Sequence, residues 1–81
     1  MQHKFVIEHP GTAYYNKLAK DFRDLLDYEF GYDSEFMIGE ESENLTLHLV
    51  NKERGEGLSQ IGSFSTLPSR ESLQLYIALA T

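Results

Sequence analysis

The chain has 81 residues, 41% of them hydrophobic, with five tyrosines and five phenylalanines; that is enough apolar material for one core and too short a length for a second. Thirteen acids against seven bases give a formal charge of −6, too modest for a disordered chain this rich in aromatics and of the wrong sign for binding a phosphate backbone. The absence of cysteine excludes disulfides and thiolate metal sites.

Residues 1 to 81 are therefore read as a single domain. Met1 to Pro10 holds no apolar run longer than Phe5-Val6-Ile7, unlike a secretory leader. No stretch approaches the roughly 20 apolar residues of a membrane span. A cytoplasmic setting is the expectation.

His3 to Glu8 reads as a short strand around Phe5-Val6-Ile7, stopped by Pro10-Gly11. Thr12 stands where a helix N-cap belongs, its hydroxyl placed to accept a backbone N–H. Tyr14, Tyr15, Leu18, Phe22, Leu25 and Leu26 then fall on one side of a helix, and Gly31 is a natural stop. Glu35 to Ile38 forms a short strand, followed by a polar turn from Gly39 to Glu43. In Asn44 to Asn51, Leu45, Leu47 and Leu49 alternate with Thr46, His48 and Val50, the period of a half-buried strand. Lys52 to Gly57 is a charged hairpin loop. Leu58 to Ser65 returns as a strand whose period slips near Gly62, the mark of a bulge or a close backbone approach. Thr66 or Ser69 caps a last helix whose inner face is Leu73, Tyr76, Ile77 and Ala80.

The order is β-α-β-β-β-α. It predicts an α+β fold, an antiparallel sheet with two helices packed on one face. The α-β-β-β-α run after the first strand resembles the double-stranded-RNA-binding domain, and the resemblance implies basic residues at the start of the last helix. That turn reads Pro68-Ser69-Arg70-Glu71-Ser72, one base and one acid. The likeness is thus one of topology, and direct nucleic-acid binding is not expected.

Charge is distributed unevenly. Between Arg23 and Lys52 no base occurs, while Asp24, Asp27, Glu29, Asp33, Glu35, Glu40, Glu41 and Glu43 supply −8; the rest of the chain sums to +2. Part of this block is a solvated helix face: Lys17 and Asp21, Lys20 and Asp24, and Arg23 and Asp27 are each four residues apart, at ion-pair spacing. Six acids remain with no base near them in sequence. Glu29 among them projects toward the centre of the helix's apolar stripe, as if the helix outran its core. They are interleaved with Tyr28, Phe30, Tyr32 and Phe36. Tyrosine gives contact area on which arginine stacks, so the candidate partner-binding residues are Tyr28, Glu29, Tyr32, Asp33, Glu35, Glu40, Glu41 and Glu43. The partner they suit is a basic protein surface, including one that otherwise binds nucleic acid. The plainer reading makes Phe30 and Phe36 core residues capped by the tyrosines.

Catalytic and metal-binding patterns are missing. No calcium-loop spacing fits from Asp27 or Asp33. His3, His9 and His48 lack metal-ligand spacing; strand pairing could bring Glu8-His9 near His48, but surface histidines are expected. Gly62-Ser63-Phe64-Ser65 lacks the second glycine of a nucleophile elbow, and Gly55-Glu56-Gly57-Leu58-Ser59-Gln60 lacks the third glycine of a nucleotide loop. Acid–base chemistry would need a walled cleft to shift carboxyl pKa values, which a one-core chain of this size seldom builds. Neither enzyme activity nor a cofactor is expected.

The last helix is apolar on two sides. Leu75 and Leu79 lie opposite its inner face, the mark of a helix that meets a partner. A homodimer through Leu75 and Leu79 is the expectation there. An assembly subunit that oligomerises this way is the alternative to an acidic inhibitor or adaptor.

Overall fold

Phe5, Ile7 and His9 are buried while Lys4, Val6 and Glu8 are half-buried, so the first strand, β1 (Lys4–His9), presents two unlike faces. The computed structural model describes residues 3–51 and 57–80. After β1 come α1 (Ala13–Leu25), continued by a π-helical turn (Leu26–Phe30), then β2 (Asp33–Ile38), β3 (Leu45–Asn51), β4 (Gly57–Phe64) and α2 (Arg70–Ala80). Positions 52 to 56 of the loop expected between β3 and β4 lie outside the described residues.

The four strands form one sheet in the order β2-β1-β3-β4. β1 pairs antiparallel with β3, and β3 with β4, but β1 and β2 are parallel. The sheet is mixed, which corrects the expectation of an antiparallel one. The cause is α1: a crossover helix carries the chain back along the sheet, so β2 starts at the same end as β1. Because β1 lies between β2 and β3, the α-β-β-β-α run is not a self-contained unit in space.

Both helices cover the same face. Phe5 and Ile7 of β1, Leu45, Leu47 and Leu49 of β3, and Phe64 of β4 meet Leu18, Ala19, Phe22 and Leu26 from the first helix and Leu73 and Ile77 from α2. Seven large side chains, among them Phe5, Phe22 and Leu47, are sealed from solvent; each such burial stabilises by about 1.5–3 kcal/mol.

The helical ends account for two departures from the sequence pattern. Thr12 has extended N-cap geometry but makes no side-chain cap hydrogen bond; only its carbonyl takes part, accepting from Asn16 N–H at 2.8 Å. The π-helical turn re-phases the apolar stripe: Phe30 packs on the core, and Glu29 projects into solvent rather than onto the stripe's centre. Gly31 then stops the helix with φ 70°, a left-handed conformation that only glycine adopts cheaply. Its N–H donates to Asp27 O at 2.9 Å and the N–H of Tyr32 to Leu26 O at 3.0 Å.

In β4 the pairing passes from Leu47↔Gly62 to His48↔Gln60, so Ile61 is the extra residue of a bulge beside Gly62. Ser69, not Thr66, caps α2: its Oγ accepts from Ser72 N–H at 3.2 Å.

Candidate functional site

The fold divides the acidic block among three places. On α1, Lys17 and Asp21 form their pair at 3.1 Å. The two similar pairs do not form among the described residues. Arg23 instead lies over the Phe36 ring, 4.9 Å from its centroid. Beyond them Asp21, Asp24 and Glu29 rim an open groove of about 320 Å³ whose apolar parts are Leu25, Tyr28 and Leu67. Tyr28 is 85% exposed. Its phenol is the most solvent-facing aromatic of the candidate set.

Two acids that lack a base nearby in sequence acquire one in space. Glu29 accepts from Arg70 Nε at 2.9 Å, and the same guanidinium lies 5.5 Å from the Phe30 centroid. Glu35 pairs with Lys4 at 2.9 Å. Asp33, Glu40, Glu41 and Glu43 have no ion-pair partner among the described residues. Tyr32 turns onto the core, stacked on Phe30 at 5.8 Å and tilted against Phe5 at 5.4 Å, so it is half-buried rather than presented to solvent.

The second place is the face of the sheet that no helix covers. Register sets Glu35 beside Val6, Val6 beside His48, Met37 beside Glu8, and Asp33 beside Lys4. At its centre the Nε2–H of His48 donates to Glu8 Oε1 at 2.9 Å, and the Ser42 hydroxyl donates to Glu8 Oε2 at 3.2 Å. The His48 bond is the main reason the Glu8 carboxyl titrates below its ordinary range; desolvation works against it and the Ser42 bond adds to it. In this serine–glutamate–histidine order the carboxylate stands between the other two. The hydroxyl has no imidazole to take its proton, so the trio lacks the arrangement that activates a serine.

What the trio does is hold the third place. Gly39 N–H donates to His9 O at 3.0 Å, and Ser42 N–H to Gly39 O at 2.9 Å. Together with the Ser42–Glu8 bond these fasten the turn that carries Glu40 and Glu41 to the end of β1 and β2. The turn is close-fitted: a Cβ on Gly39 would collide with the Glu8 carboxylate and stand 2.6 Å from Ser42 Oγ. Glu8, Gly39 and Ser42 thus position the loop acids; the sequence pointed to Glu8 only as a neighbour of His48 through strand pairing, which the 2.9 Å bond bears out, and not to Gly39 or Ser42. The available signal was the alternation of β1, which puts Glu8 on the side away from Phe5 and Ile7.

His9 is buried and His48 largely covered, against the expectation of surface histidines. His9 is buried with the core row of β1; its Nδ1 accepts from Gly11 N–H at 3.2 Å, its ring meets Phe36 edge-on at 5.9 Å, and burial lowers its pKa. His48 is hydrogen-bonded and mostly covered. Both belong to alternating strands, where every position must face one side or the other. Leu75 and Leu79, in contrast, point outward as expected, at 66% and 88% exposure.

Among the described residues no three His, Asp or Glu side chains group as a metal site, and no helix is long and apolar enough to cross a membrane. No family model, curated protein or solved structure matches this chain.

Proposed function

We propose that the chain is a non-enzymatic protein-interaction module, a small acidic inhibitor or adaptor whose face spanning residues 28 to 43 binds a basic protein surface. That surface includes one that otherwise binds nucleic acid. The observation that carries this reading is the placing of unpaired charge. Asp33 at the start of β2 and Glu40, Glu41 and Glu43 after its end have no basic partner among the described residues. Glu40 and Glu41 on one turn, with Glu43 two residues on, concentrate like charge at one end of β2, which steers an opposite charge toward it. The exposed Tyr28 beside Asp24 and Glu29 offers an arginine both a ring to stack on and carboxylates to meet.

The test replaces Glu40, Glu41 and Glu43 with lysine and compares capture of basic proteins from the native host at low and high salt. Binding weakens and its salt dependence flattens in the triple variant. Unchanged affinity would sink the proposal.

Leu75 and Leu79 favour a second reading, an assembly subunit that oligomerises through α2. Replacing both with glutamate then converts a dimer to a monomer by mass measurement in solution; a wild-type chain already monomeric at high concentration removes it.

A further inference from the structure

We infer that the open edge of β2 takes up an extended segment of the basic partner as a fifth strand, and that the segment alternates basic with apolar residues. This rests on the acidic face being the binding face, and goes further by naming the backbone that is read. Among the described residues β2 pairs with β1 on one side only and ends the sheet on the other. An edge strand leaves a row of N–H and C=O groups turned outward, the template for strand addition.

The side chains of β2 specify what such a strand must carry. Asp33 and Glu35 stand in register with Lys4 and Val6 on the uncovered face. Phe36 and Ile38 stand in register with the buried Ile7 and His9 on the helix side, yet remain 39% and 57% exposed. On the uncovered side an added strand therefore meets Asp33 and Glu35 and then Met37, and on the helix side Ser34 and then Phe36 and Ile38, so carboxylates and the larger apolar surface fall on opposite faces. Arg23 over the Phe36 ring disfavours a base on the helix side, so the two rows cannot be exchanged. Lys4 holds Glu35 only as an exposed pair, which an incoming arginine shares or displaces.

The same charges decide against a second copy as the occupant. Two β2 edges brought together would oppose Asp33 and Glu35 with their like, the usual device by which an edge is kept from self-pairing. The other edge of the sheet is unlike it: β4, Gly57–Phe64, has no charged residue.

The experiment uses the full chain and three synthetic peptides. In the first, arginine and valine alternate; the second has the same composition with the arginines blocked together; the third is the first with alternate amides N-methylated. The alternating peptide binds at least tenfold tighter than the other two and slows amide exchange in Asp33–Ile38. Equal binding of the blocked or N-methylated peptide, or protection appearing in β4 instead, overturns strand addition while leaving the acidic-face reading in place. Failure of every basic peptide to bind overturns both. Slow exchange at β2 in the free chain together with a dimer mass overturns the inference in favour of a second copy.

Discussion

Glu8 and His48 lie forty residues apart in sequence and 2.9 Å apart in space, joined across β1 and β3 on the sheet face that no helix covers. Glu8 also receives the Ser42 hydroxyl, so one carboxylate ties two strands to the turn that carries the loop acids. Removing the imidazole leaves this half-buried carboxylate short of a donor. His48→Ala is expected to cost about 1–3 kcal/mol, and Ser42→Ala about 0.5–1.5 kcal/mol, in urea unfolding at neutral pH. A cost below about 0.5 kcal/mol for His48→Ala would put the pair in the class of exposed ion pairs that contribute little.

Stability should fall as the solution is acidified, in two windows. His9 is held below its ordinary value of 6.5 by burial, so the unfolded chain takes up a proton before the folded one does. Stability is complete above 6.5 and declines as pH drops toward the folded pKa. Glu8, held below its ordinary value of 4.5 chiefly by the His48 bond, has the same sign lower down: its contribution is present above 4.5 and is lost as pH falls through the folded pKa. Unfolding midpoints measured from neutral to acid pH check both. His9→Gln should flatten the upper window, and a variant retaining the full slope there contradicts the assignment.

Gly31 and Gly39 should fail for different reasons. At φ 70° an alanine at position 31 carries a Cβ penalty of about 1–2 kcal/mol, while Gly31→Asn is milder because asparagine visits this region. At position 39 the backbone is ordinary and the obstacle is steric. Gly39→Ala displaces the Glu8 carboxylate and Ser42; in a Ser42→Ala background the Ser42–Glu8 bond is already gone while the crowding of Glu8 remains, so the two substitutions together should cost less than their sum. Full additivity of the two substitutions would show that the contact is relieved some other way.

Core and surface leucine-type contacts separate cleanly in expectation. Phe22 is fully buried in the core, its ring 5.1 Å from that of Phe64 on β4, and Phe22→Ala should cost about 3–5 kcal/mol. That is a large part of the roughly 4–12 kcal/mol expected for a chain of this length. Leu79, at 88% exposure, should tolerate alanine within about 0.5 kcal/mol. A larger loss that grows with protein concentration is the sign of an interface.

Much of this architecture is determined by local period. The stripe Leu18, Phe22, Leu26 specifies α1, Gly31 specifies its end, and the leucines of β3 specify which way that strand faces. Each depends on neighbours within a few residues, where the helix and strand repeats act directly. The exposed Leu75 and Leu79 follow from the same geometry.

Tertiary structure alone decided the rest, because it depends on which distant segments pair. The crossover through α1 made β2 parallel and left it at the edge. The π-helical turn exchanged Glu29 for Phe30 at the core. Arg70 and Lys4 neutralise Glu29 and Glu35, acids with no base near them along the chain. Charge counted in sequence thus overstates the free carboxylates, since an ion pair needs only closeness in space. Acidity, a single core and the α+β class follow from composition and local period; packing chose which of the acids remain unpaired.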